Sequence, residues 1–245
     1  MELGTLVFEH PDFILVNKPA GVSVHKDNAP EGFIGALTQA RSEPLWLVHR
    51  LDKLTSGLLL LARNQVAAAE LSQAFAQRRV DKLYLAVSSH KPKRKQGMIS
   101  GDMEQARRGN WKLSRTQSNP ARTEFVSRNL APGYTLLVCH PLTGKTHQIR
   151  VALKSEAAPI LGDNRYAGQG DTDTDRGYLH AWQLGFNYQG ETFCFRADPT
   201  EGDWFIYAVE QGALDASKGG LQFPEHWKLP WLSSTQGQYH GVENE

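Results

Sequence analysis

The run Leu58-Leu59-Leu60-Leu61-Ala62 is apolar at every position and opens directly out of a polar stretch, His49-Arg50-Leu51-Asp52-Lys53-Leu54-Thr55-Ser56-Gly57. An unbroken apolar run of this length reads as a buried strand. Gly57 allows a close turn into it. Asp52 therefore falls at the edge of a buried strand, between the cations Arg50 and Lys53. A carboxylate so placed stays ionised and can serve as nucleophile or base. The other reading is a surface ion pair in a capped polar turn, and these residues alone leave both open. Thr55 and Ser56 can hydrogen-bond loop backbone or a carboxylate.

Around this strand, short apolar runs recur at hairpin spacing. Residues 6–9 and 13–17 flank the turn His10-Pro11-Asp12, and residues 45–48 lead into the polar motif. Residues 82–88 read as a strand. Residues 123–128 and 134–140 suggest a hairpin around Ala131-Pro132-Gly133, and residues 178–186 and 191–196 a last pair about Gln189-Gly190. Only two segments read convincingly as helices: residues 65–79, with Asn64 as N-cap, and residues 146–157. The stretch from 90 to 119 is a long excursion or a pair of poor strands. The pattern predicts an α+β fold, a mainly antiparallel mixed sheet with flanking helices. One catalytic domain is expected over residues 1–214, followed by an extension, 215–245, that Trp227 and Trp231 dock in part.

Bulk properties narrow the function. No apolar run in the 245 residues approaches the ~20 needed to span a bilayer. The start has no basic and apolar leader. Cys139 and Cys194 lie far apart, which suits a reducing cytosol and argues against a zinc site or disulfide framework. There is no His-Glu-x-x-His pattern, no glycine-rich phosphate loop and no dinucleotide fingerprint. The expectation is a cytoplasmic protein with neither metal nor cofactor. The net charge of +1 conceals a division: residues 78–128 carry thirteen Lys/Arg against four Asp/Glu, +9 in one segment, with −8 elsewhere. Such asymmetry makes either a phosphate-binding face or a solvated basic loop.

Two further clusters carry chemistry. In Gly144-Lys145-Thr146-His147-Gln148-Ile149-Arg150, Thr146 can cap a helix on which His147 and Arg150 share a face; an ordinary amphipathic helix with a basic shoulder is the alternative. In Lys82-Leu83-Tyr84-Leu85-Ala86-Val87, strand alternation sets Lys82, Tyr84 and Ala86 on one face. Tyr84 there stacks on a base, handles a proton, or is simply packed.

In their order these pieces resemble the RluA family of RNA pseudouridine synthases. Asn17-Lys-Pro-Ala-Gly-Val-Ser-Val-His25 resembles its first motif, His49–Gly57 its catalytic motif, Lys82-Leu-Tyr-Leu-Ala its tyrosine-bearing strand and Gly144–Arg150 its last motif, followed by Pro159-Ile-Leu-Gly-Asp163 and Leu179-His-Ala181. The resemblance covers roughly residues 5–205 and implies the pseudouridine synthase catalytic fold. It implies that Asp52 is the essential aspartate, that Tyr84 packs on the target uracil and is a candidate for removing the C5 proton, and that Arg150 pairs with Asp52. Arg50 matches an arginine that, in some relatives, enters the helix space left by the extruded base, and Lys18 and Pro19 match positions that look structural. RNA contacts are expected from His49, Arg50, Thr55, Lys93, Arg94, Lys95, Arg107, Arg108, Lys145 and His147.

The implied reaction breaks the N1–C1′ bond of a uridine, turns the uracil and joins C5 to C1′. Asp52 attack at C1′, proton removal from C2′ to a glycal, and attack at uracil C6 are all open. The implied partner is RNA, ribosomal in preference to transfer, and a monomer is expected. Many relatives begin with an S4 RNA-binding domain, whereas this chain opens on its first strand, which leaves RNA choice to the catalytic domain and its basic insert. Asn187-Tyr188-Gln189 stands where relatives often have His-Pro. A non-catalytic RNA-binding protein on the same scaffold is the alternative function. An Asp-dependent hydrolase lacks a second carboxylate in these motifs.

Overall fold

The computed structural model describes residues 3–24, 32–215 and, beyond them, 220, 223, 224, 226 and 227. In chain order it contains β1 (Thr5–Glu9), β2 (Phe13–Lys18), α1 (Gly32–Arg41), β3 (Trp46–Leu47), β4 (Ser56–Ala62), α2 (Gln65–Ala76), β5 (Val80–Ser88), β6 (Gln96–Gly101), β7 (Met103–Gln105), β8 (Trp111–Leu113), β9 (Ala121–Ala131), β10 (Tyr134–Pro141), α3 (Gln148–Ser155), β11 (Leu179–Tyr188), β12 (Glu191–Arg196) and α4 (Asp203–Glu210). The β-structure is mixed and mostly antiparallel, as the hairpin spacing predicts. The described residues divide into two compact units, those within 3–82 and 180–198 in one and those within 83–179 and 199–227 in the other.

In the first unit β4 is the central strand. It pairs antiparallel with β2 from Phe13↔Ala62 to Lys18↔Gly57, antiparallel with β3, and parallel with β11. All seven of its residues are buried, which is why its apolar residues run without alternation. Each fully buried leucine contributes about 2 kcal/mol of transfer free energy. Phe13, Leu58, Leu60, Leu71, Phe186 and Phe195 belong to one core, and the Phe13 ring meets those of Phe186, Tyr188 and Phe193 edge-on. Helix α2 lays Ala67, Leu71 and Ala74 on this core, and Asn64 Oδ1 caps it by accepting the Ala67 N–H at 2.8 Å. At the unusual Asn187-Tyr188-Gln189, strand β11 runs on through Tyr188, whose hydroxyl donates to Asp12 at 3.1 Å.

In the second unit the strand order is β5-β10-β9-β6, antiparallel throughout. The excursion from 90 to 119 resolves into β6, which joins that sheet, and a separate hairpin of β7 with β8. Asp102 holds the hairpin base: its carboxylate accepts the N–H groups of Ser118 and Asn119 at 3.0 and 2.8 Å. Of the extension, Trp227 is buried, its ring 5.2 Å from that of His140; Trp231 and His25 lie outside the described residues.

Two helices depart from the sequence expectation. In α1, glycines and Thr38 weaken the period, and only Phe33 and Leu37 mark the buried face among its larger side chains. In α4, the run Trp204-Phe-Ile-Tyr207 has strand composition. Its helical start is set by tertiary partners: Asp175 accepts the Asp203 N–H at 3.2 Å, and the Tyr178 hydroxyl accepts that of Trp204 at 3.2 Å.

Candidate active site

Asp52 lies in the loop between β3 and β4, half-buried, with Arg50 and Lys53 exposed on either side. Its carbonyl accepts the Thr55 N–H at 3.0 Å and closes a turn. The loop is anchored at both ends. At its entry, His49 turns inward: Nε2 accepts the Leu60 N–H at 2.9 Å and the ring stacks on Phe75 at 4.4 Å. Burial, reinforced by the Lys82 cation, pushes the His49 pKa down to about 3, so the ring is neutral and able to accept. At its exit, the buried Ser56 Oγ shares a 2.7 Å hydrogen bond with His180 Nδ1, and His180 Nε2–H donates to the Ala197 carbonyl at 2.8 Å. A carbonyl only accepts, so Nε2 carries a proton, and in the neutral ring Nδ1 accepts from Ser56. Ser56 thus bonds a histidine on β11.

The parallel register sets Gly57 opposite Ala181. Gly57 has φ +105°, and a Cβ there would stand 2.3 Å from the Ala181 carbonyl oxygen. Gly57→Ala is therefore expected to cost roughly 3 kcal/mol of stability, measured by urea unfolding; an unchanged midpoint would refute the tight approach. Lys18, opposite Gly57 on β2, is fully buried and donates to the carbonyls of Pro19 and Val22 at 2.8 and 2.9 Å.

In the second unit Tyr84 stands on β5 opposite Cys139 of β10, half-buried between the fully buried Leu83 and Leu85. Arg150 is buried on α3. Its Nε and Nη2 donate to the two oxygens of Asp163, each at 2.8 Å, and its guanidinium carbon lies 5.0 Å from the centre of the Tyr166 ring. Asp163 is 1% exposed and also accepts the Arg165 N–H at 3.0 Å. Two buried ions are tolerable only with such bidentate geometry and further donors.

The start of α3 differs from the expected Thr146 cap. His147 is the N-cap residue, left-handed at φ 57° and with no side-chain capping bond, so it stands just outside the helix, though it and Arg150 both meet Tyr166. Gln148 fastens the helix instead. Its Nε2 donates to the Arg122 carbonyl and Thr123 Oγ1, both at 2.9 Å, and its Oε1 accepts from Thr143 Oγ1 at 2.7 Å and Lys145 N at 3.0 Å.

The basic residues are not equivalent. Lys93 Nζ donates to the Ser155 carbonyl at 2.8 Å, at the negative end of α3, and Arg94 is paired with the buried Glu156. Lys95 and Arg107 are exposed, Arg107 in the turn it shares with Arg108 at the tip of the β7–β8 hairpin. Lys95→Ala and Arg107→Ala should each reduce the salt slope of RNA binding by about one. Arg94→Ala should chiefly lower thermal stability. Equal salt slopes for all three would contradict this division.

Comparison with known proteins adds a further observation. Residues 12–155 match the family model described as RNA pseudouridylate synthase. The chain belongs to this family. An uncharacterized RNA pseudouridine synthase of Haemophilus influenzae is 48% identical over 202 residues, covering 82% of this chain and 90% of that relative. The ribosomal large subunit pseudouridine synthase C of the same organism is 34% identical over 213 residues, 78% of this chain and 64% of the relative. Human RNA pseudouridylate synthase domain containing 1 superposes with a TM-score of 0.68 at 25% identity, over 81% of this chain and 86% of that one. This pseudouridine synthase is thus an isomerase of the RluA family. Among the described residues, no helix is long and apolar enough to cross a membrane, and no cluster of His, Cys, Asp or Glu could hold a metal ion.

Asp163, Tyr166, His180 and Gln148 are the residues to which sequence reasoning assigned no role. Gly162-Asp163 and His180 were legible as motif positions. Their partners are Arg150, 13 residues before Asp163, and Ser56, 124 residues before His180.

Proposed function

We propose that this synthase converts uridine to pseudouridine within a structured ribosomal RNA, and that Asp52, Tyr84 and Arg150 act together on one extruded uridine. The observation that carries the reading is the Asp52 loop, tied down at His49–Leu60 and at Ser56–His180. A merely solvated turn needs neither anchor. A reacting carboxylate needs both, because small displacements of an acting group cost much of the rate.

The reaction balances without an outside reagent. The N1–C1′ bond breaks, the uracil rotates, C5 bonds to C1′, the C5 proton leaves and N1 regains a proton. Asp52 starts it, and the Tyr84 hydroxyl relays the C5 proton to water, giving up its own proton as it takes the new one. Extruding the base costs a few kcal/mol, and phosphate contacts from exposed cations such as Lys95 and Arg107 offset that. The ribosomal preference rests on relatives named as ribosomal large subunit synthases; a transfer RNA substrate is the second reading.

The test is tritium release from RNA labelled at uridine C5. Release to water by the purified protein is expected from ribosomal RNA of cells lacking the gene. No release from any cellular RNA would favour a non-catalytic binder. Tyr84→Phe should retain RNA binding and slow turnover by about 10²-fold or more; equal turnover would reduce Tyr84 to a stacking surface.

A further inference from the structure

Tyr166 is 3% exposed and follows Asp163 by one turn, its N–H donating to the Asp163 carbonyl at 3.1 Å. Its hydroxyl accepts the backbone N–H of Trp111 at 2.9 Å and shares a 2.8 Å hydrogen bond with His147 Nδ1. Its ring meets the guanidinium of Arg150 at 5.0 Å and the ammonium of Lys154 at 5.6 Å. Burial raises the phenol's pKa, so the hydroxyl keeps its proton. A phenylalanine would keep the ring but take this oxygen away from the Trp111 N–H and from His147 Nδ1.

Those contacts run to places with separate duties. Trp111 opens β8, next to the turn that carries Arg107, and beside it Arg165 donates to Asn110 Oδ1 at 3.3 Å. The hairpin is therefore held at its base by Asp102 and near its tip by residues 165–166. His147 precedes the helix that bears Arg150. The side chain whose hydroxyl holds the hairpin also supplies the aromatic face on Arg150.

We propose that Tyr166 is a positioning residue that couples the basic β7–β8 hairpin to Arg150. RNA phosphate drawn to Arg107 steadies the 107–111 turn. The Trp111 N–H transmits that order to the Tyr166 hydroxyl, and the ring holds the guanidinium in place. The consequence for turnover rests on the proposed function, since only an RNA substrate loads the hairpin and uses the arginine. The coupling itself does not depend on isomerisation.

The test has two arms. In the first, hydrogen exchange of the Arg150 Nε–H is followed by NMR with and without a short oligouridylate. The oligonucleotide should slow exchange roughly ten-fold in wild type and leave it unchanged in Tyr166→Phe and in Arg107→Ala, an exposed change that cannot act by unfolding. No slowing in wild type, or equal slowing in both variants, overturns the proposal. In the second, kcat and KM for ribosomal RNA are measured for Arg107→Ala, Tyr166→Phe and the double variant. Coupling predicts that the double variant lies near the worse single variant in kcat/KM; multiplied losses overturn it. Should wild type release no tritium while exchange still responds to oligouridylate, the proposed function fails and the coupling stands.

Discussion

Asp52→Asn is expected to lower kcat by about 10⁴-fold or more, so that tritium release falls to background, while RNA retention on filters stays close to wild type. Asparagine has the same shape as aspartate but neither its charge nor its basicity, so it can neither attack C1′ or uracil C6 nor take a proton from C2′. The loop should survive the change. Its turn is closed by the carbonyl of residue 52, and its ends are held by His49 and Ser56, none of which the substitution removes. Loss of RNA binding in parallel with activity would mean that Asp52 shapes the loop. Retained turnover would remove it from the chemistry altogether.

Asp163→Ala is expected to have the largest effect on stability. Both oxygens of this carboxylate bond a guanidinium that is itself 5% exposed. Removing one partner of a buried pair costs about 3–5 kcal/mol, because the other charge loses its counterion. In a chain of this size the melting temperature should fall by about 10 °C. The structural role of the pair and the role proposed for Arg150 separate in a second variant. Arg150→Met with Asp163→Leu replaces both ions by apolar groups and should recover most of the lost stability. It should nevertheless stay inactive if Arg150 acts on the uridine as proposed. Recovery of turnover along with stability would make the pair structural only.

Much of the fold was readable because burial and pattern agree. The apolar run after Gly57 is β4, buried at every position. Asn64 caps α2 as its position suggests. The weakly patterned stretch after His90 divides into one strand of a sheet and a small hairpin, because short polar strands take their identity from partners, here β9 and one another. Helix α4 was hidden for a related reason: its residues favour a strand, and its first N–H groups are satisfied by Asp175 and Tyr178, far earlier in the chain.

The candidate site was legible in its motifs and not in its supports. Asp52, Tyr84 and Arg150 stand in stretches whose composition marks them. What fixes them does not show locally. Gln148 reads as one more polar residue of a helix, yet it makes four hydrogen bonds to residues 122–145. His49 and Arg94, cations by residue type, are occupied by Leu60 and Glu156. Charge counts in a sequence do not distinguish a cation that faces solvent from one already taken.

The proposed isomerisation of uridine in ribosomal RNA through Asp52 is decided by mapping pseudouridine in ribosomal RNA from cells with and without the gene, and from deletion cells carrying wild type or Asp52→Asn. A defined uridine should be modified in the parent, unmodified in the deletion, restored by wild type and not restored by Asp52→Asn. Identical maps in all four strains, or restoration by the asparagine variant, would contradict it.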